Sequence, residues 1–176
     1  MSAVVKSPGL GDDIRTYARS ELFDVDRHVR YYGKLASIYQ RRHSLVQLSV
    51  FILSLSAPTL LVIFPTVWAG APLGLLLAAL VGWDFIGGHA NKAAVLHGIS
   101  TDCDRIRSEQ MELYQLIKND RIAEAEAQQR LDALAQRTIE ATGRAGYAQV
   151  AINEALLDKC SDDTNRVLLV EEEQCV

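Results

Sequence analysis

The chain has 176 residues, about one domain's worth, with 18 basic and 22 acidic side chains and a net charge of −4. Residues 1–43 carry eight basic and five acidic groups, whereas residues 84–176 carry ten basic and seventeen acidic. A sequence-specific DNA binder shows a basic stripe; the acidic C-terminal half argues against that class.

The first forty residues hold Asp12, Asp13, Glu21, Asp24 and Asp26 and no early apolar run. No secretory signal peptide is expected, so the first hydrophobic segment serves as its own insertion signal. Tyr31, Leu35, Ile38 and Arg42 recur at helical spacing, with Tyr32 and Tyr39 alongside. They predict an amphipathic helix over about 14–42, within a cytoplasmic N-terminal region 1–43.

From Ser44 to Trp83 there is no Lys, Arg, Asp or Glu. Apolar runs beyond about 20 residues find burial in lipid rather than in a small soluble core. A single helix of this stretch would be about 60 Å long, twice the hydrocarbon thickness, so the chain has to turn back. Pro65, Gly70 and Pro72, with Trp68 between them, mark the bend. The expected transmembrane hairpin covers 44–90, with crossings at 44–64 and 72–90. Pro58 inside the first crossing is tolerated in lipid, and Pro72 suits the start of the second. Arg27, Arg30, Lys34, Arg41 and Arg42 precede the hairpin, Lys92, Arg105 and Arg107 follow it, and the bend is uncharged. The positive-inside rule therefore places both termini in the cytoplasm.

Cytoplasmic helices are expected over 91–160. Ile99, Cys103, Ile106, Gln110, Leu113 and Ile117 alternate at intervals of four and three, a heptad seam with one polar member that can fix register. An antiparallel bundle within the chain and a coiled coil between subunits both explain it. Asn119 and Asp120 predict a helix stop and a new N-cap, followed by a helix over 121–142. Gly143 and Gly146 are expected to break that helix, and a shorter one runs from about Tyr147 to Cys160. Residues 161–176 read as a solvated acidic tail, or as a short strand or helix that docks on a partner. The expected fold is all-α.

No nucleotide-binding loop, nucleophile elbow or metalloprotease motif occurs, and Cys103, Cys160 and Cys175 form neither a disulfide framework nor a zinc set. The expectation is a non-enzyme without cofactor or metal. Asp84 is the acidic residue at expected membrane depth, where a carboxylate costs about 2.5–3.5 kcal/mol. Gly88 and Asn91 follow it on the same helical face. In a homo-oligomer these three could line a cation pathway; the competing explanations are that Asp84 lies near the cytoplasmic headgroups or pairs with Lys92 or an arginine of the first helix. Gly70, Gly74, Ala78 and Gly82 form a small-residue stripe for close helix packing. Ser44, Gln47 and Ser54, with Phe51 and Pro58, form a second stripe. One of the two is expected to close the hairpin and the other to meet a neighbouring subunit. Gly87 and Gly88 suggest a hinge.

Leu35-Ala36, Tyr39 and Arg41-Arg42 lead into the hairpin, and Asn91-Lys92-Ala93 opens a helix holding Ile106, Leu113 and Leu116. This arrangement resembles the SLATT family over about residues 15–120. The family comprises two-pass membrane proteins associated with SMODS nucleotidyltransferases and SLOG sensors in bacterial anti-phage systems. The resemblance implies a homo-oligomeric pore, a tetramer or similar, in the bacterial inner membrane, held closed until a nucleotide or oligonucleotide from a neighbouring nucleotidyltransferase, or a partner protein, releases it. Arg27, Arg30, Lys34, Arg41 and Arg42 are the candidates for meeting such a ligand; as orientation signals and lipid headgroup contacts they need no ligand.

Overall fold

The computed structural model describes the backbone of residues 11–63 and 67–174 and the side chains of 13–55 and 71–167. Pro65 and Thr66 of the expected bend, and the side chains of Pro58, Trp68 and Gly70, lie outside the described residues, as does Cys175. The described residues are all-helical: α1 (Asp12–Ile63), α2 (Val67–Gly87), α3 (His89–Lys118), α4 (Glu124–Tyr147) and α5 (Glu154–Gln174). They divide into two compact units, one of Met1–Gly33 with His97–Val176 and one of Lys34–Leu96.

The first unit is a helical bundle built on the heptad seam. Ile99, Cys103, Ile106, Leu113 and Ile117 are all buried, covered from within the same chain. Ile14, Ala18, Leu22 and Val25 of α1 and Ala127, Leu131 and Leu134 of α4 contribute matching buried stripes. Polar pairs fix the helix directions. Arg15 meets Asp120 at 2.8 Å and Arg107 meets Asp26 at 2.6 Å, so α1 and α3 run antiparallel. Arg137 grips Glu109 and Arg144 grips Asp102, so α3 and α4 do too. On α1, Tyr31 accepts the amide of Asn153 at 3.0 Å while Asp26 accepts the hydroxyl of Thr164 at 3.0 Å. That lays α5 antiparallel along α1.

Two close approaches tighten the bundle. The Ser100 hydroxyl donates to the Val29 carbonyl at 3.1 Å, and a Cβ at Gly33 would stand 3.2 Å from that same hydroxyl. A glycine inside a helix costs about 1 kcal/mol; here it lets α1 and α3 touch. Gln110 is buried in the seam, with neither amide atom partnered by protein. Burial pushes the Cys103 thiol up to about 11, with the Asp102 charge adding and Arg144 opposing. Such a thiol stays protonated and unreactive.

Helix ends depart from the sequence expectation in several places. Pro72, expected at the start of the second crossing, lies inside α2, which already begins at Val67 and ends at Gly87. Asp120 closes α3 instead of capping α4. Its φ is +52°, its amide donates to Ile117 O at 3.2 Å, and the Arg121 amide donates to Leu116 O at 2.9 Å, the hydrogen-bond pair of a Schellman motif. The N-cap of α4 is Ala123, with no side-chain cap. Gly143 and Gly146 lie inside α4, which runs on to Tyr147 because the Arg144–Asp102 pair ties its last turns to α3. The chain breaks later, at 148–153, where Gln149 has φ +50° and Asn153 caps α5 through the Leu156 amide at 3.1 Å. The expected tail is therefore helix. Cys160 and Thr164, four residues apart on one face, are buried and dock it.

The second unit brings α1 and α2 together. Half-buried positions fall on one stripe of each helix: His43, Val46, Val50 and Leu53 on α1, and Leu73, Leu77, Leu80 and Asp84 on α2. Their spacing of three and four residues is that of a helix-packing face. Outside this stripe the unit is apolar and open. Leu48, Phe51, Leu55, Leu75, Trp83 and Phe85 are all more than half exposed. The stretch Ala71–Lys118 contains a window long and apolar enough to cross a membrane, and none of that window is buried.

Candidate functional site

The polar groups of the second unit gather where α2 gives way to α3. Gly88 makes the junction, with φ +57°, a conformation that costs a residue bearing Cβ about 1–2 kcal/mol. Its amide donates to Asp84 O at 3.0 Å, closing α2, and its carbonyl accepts the Lys92 amide at 2.9 Å, opening α3. Gly87 is small for a different reason. A Cβ there would come within 2.7 Å of the His89 ring, so the glycine gives that imidazole its place.

Opposite this junction α1 presents Tyr39, Arg42 and His43 within one turn. His43 Nδ1 lies 2.8 Å from Asp84 Oδ2, both side chains being about four-fifths buried. The second carboxylate oxygen of Asp84 is buried without a protein partner, as is Nδ1 of His89. The His89 ring stands 5.8 Å from that of Tyr39, and the Arg42 guanidinium lies over the Tyr39 ring, 6.0 Å from its centroid. The result is an imidazole–carboxylate clasp between α1 and the end of α2, braced by an aromatic pair one turn along. Gly88→Ala is expected to lower the melting temperature of the purified protein, by the equivalent of about 1–2 kcal/mol, with Gly88→Asn losing less. Equal melting of all three proteins would show the left-handed junction to be dispensable.

The clasp places the sequence candidates in new relations. Asp84 faces His43, rather than Lys92 or an arginine; Gly88 is half-buried at the junction and Asn91 is exposed. Among the described residues, neither expected stripe closes α1 on α2. Gly74 and Ala78 are exposed, and a Cβ at Gly74 or Gly82 would meet nothing within 4 Å. Ser44, Gln47 and Ser54 are exposed too, with the Ser54 hydroxyl turned back on its own helix at Val50 O, 2.8 Å away. Leucine and valine at a third phase of each helix form the seam because they fill it better than glycine or serine.

The basic candidates have varied surroundings. Arg30 is held on Asp26 at 2.6 Å. Arg27 pairs with Asp24 at 2.9 Å and lies over Phe23. Lys34 is half-buried, whereas Arg41 and Arg42 are exposed on α1. Sequence reasoning missed His43, His89 and Tyr39 as one cluster. One signal was available: His43 precedes Pro65 by 22 residues and Asp84 follows it by 19, so a tight hairpin brings them to similar heights.

Comparison with family models, curated proteins and solved structures finds no match for this chain.

Proposed function

We propose that this chain is the subunit of a homo-oligomeric membrane channel, its two crossings formed by the end of α1 and by α2, gated from the cytoplasm by its helical bundle. The observation that carries this reading is the open apolar surface of the second unit. Leu48, Phe51, Leu55, Leu75, Trp83 and Phe85 are all more than half exposed, Leu75 at 73%, and large apolar side chains exposed together mark a surface that meets lipid or protein. Lipid or another copy has to cover it. Two helices cannot enclose a water path, so conduction requires several copies. The vacant stripe at Gly74, Ala78 and Gly82 is a surface on which a second copy's helix can approach closely.

In this reading the His43–Asp84 clasp belongs to the closed channel, and opening turns α2 at Gly88 and frees the carboxylate. The likeness to SLATT proteins extends the proposal to an effector of bacterial anti-phage defence, released by a nucleotide signal or a partner protein. The test is ion flux from vesicles reconstituted with the purified protein. His43→Ala is expected to raise resting flux, and Asp84→Ala to raise it while abolishing preference for cations. Unchanged flux and selectivity in both variants would remove Asp84 from the pathway. A second reading, a non-conducting anchor that recruits a soluble partner, draws on Ile139, Tyr147 and Ile152, which stand exposed on the bundle. Absence of flux from every preparation, with partner capture lost on deleting 120–176, would favour it.

A further inference from the structure

The seam of α3 has the repeat of a self-associating helix. Leu96, Cys103, Gln110 and Ile117 recur every seven residues, and Ile99, Ile106 and Leu113 recur every seven between them. All are buried. This is the alternation of a parallel coiled coil, sustained over three heptads. Gln110 does not fit its cover within the chain. It is 2% exposed, and neither its amide oxygen nor its amide nitrogen has a hydrogen-bond partner in the protein. A buried amide left in this way destabilises its own packing. The group is donor and acceptor at once, so a second copy of itself satisfies it. Single polar residues in coiled-coil seams do this, and fix register and subunit number in doing so.

The part of the cover that α4 supplies is lightly held. Five of its side chains are buried, and only Leu131 and Leu134 among them are large. Its N-cap, Ala123, gives no side-chain hydrogen bond. Arg137 on Glu109 and Arg144 on Asp102 tie it to α3. All four of these side chains are 39–49% exposed, and exposed ion pairs contribute little.

We propose that α4 is a displaceable cover, and that when it lifts away the α3 seams of several copies meet as a parallel coiled coil with a layer of paired Gln110 amides. The inference rests on the membrane reading in one respect. Copies that share a bilayer and an orientation are related by an axis along its normal, which brings identical residues of α3 to one height.

The test uses the full chain reconstituted in vesicles, with Cys160→Ala and Cys175→Ser so that Cys103 reports alone. A bifunctional thiol reagent of short span joins two Cys103 side chains where two seams meet. The parent is expected to cross-link weakly. Asp102→Lys with Glu109→Lys sets like charges against Arg144 and Arg137, and is expected to raise the cross-linked yield about tenfold. Adding Gln110→Leu should lower that yield about tenfold, because leucine relieves the resting bundle of an unsatisfied amide but removes a satisfied one from the assembled seam.

A charge-reversed chain that keeps its helix content by circular dichroism and cross-links no more than the parent would overturn the proposal. So would a yield that Gln110→Leu leaves unchanged, or equal yields from Cys103 and from Asp104→Cys in a chain lacking Cys103, one position off the seam. Should charge reversal unfold the chain, Arg137→Ala with Arg144→Ala releases α4 more mildly and gives the same comparison. Ion flux from the same vesicles separates the two readings: cross-linking without conductance would remove the channel and leave the seam exchange, and conductance without cross-linking would do the reverse.

Discussion

Asp26→Ala is expected to destabilise the helical bundle by about 3 kcal/mol. The carboxylate is buried at 4% exposure and is shared by three helices. Arg30 reaches it from α1 at 2.6 Å, Arg107 from α3 at 2.6 Å and Thr164 from α5 at 3.0 Å. Removing it strands two guanidiniums and a buried hydroxyl. Both arginines retain some access to water, which keeps the loss near the low end for a broken buried pair. Asp26→Asn preserves shape and part of the bonding and should lose less. Thermal unfolding of the detergent-solubilised protein, followed by circular dichroism, measures both.

The same carboxylate predicts an acid sensitivity. Burial alone pushes the Asp26 carboxyl up, but the hydrogen bonds and charge of Arg30, with hydrogen bonds from Arg107 and Thr164, outweigh it and hold the carboxyl below its ordinary value. A group lower in the folded than in the unfolded chain stabilises fully above its unfolded value, about pH 4. That stabilisation disappears as the pH falls through the lower folded value. Asp26→Asn should flatten this part of the stability profile; an unchanged acid limb would place the sensitivity on other carboxyls.

Leu75→Arg is the second large effect. Leu75 is 73% exposed on α2, and at such a position in water a polar substitution changes stability by no more than about 0.5 kcal/mol. In a bilayer the same change near the middle of a crossing costs about 3 kcal/mol, enough to cut correct insertion more than a hundredfold. Membrane fractionation with a glycosylation or protease reporter separates the two cases. A variant that folds and fractionates like the parent would mean that α2 does not meet lipid.

The heptad seam was the most legible feature, because an alternation of four and three apolar residues has one helical solution and all of its members are buried. What closes over it was open, since the period does not distinguish a neighbour in the same chain from one in another. Helix ends were less legible. Gly143 reads as a breaker from propensity alone, whereas the Arg144–Asp102 pair and the buried Ala141 hold α4 together past it. The docking of α5 is written in Cys160 and Thr164, residues too small and too polar to announce a buried face. Gln110 was readable as a polar interruption. Leaving its amide unpartnered by protein costs about 1–3 kcal/mol, a cost consistent with a residue that selects register. The His43–Asp84 pair lay furthest from view, since 41 residues separate its members and no local pattern links them.

The most direct test of the account is the sidedness of three positions in intact cells: a tag at each terminus and a single reactive cysteine at Thr66 in an otherwise cysteine-free chain. A chain that crosses twice leaves both tags shielded by the membrane and exposes Thr66 to an impermeant thiol reagent from outside. Termini on opposite faces, or Thr66 labelled only after lysis, would contradict it.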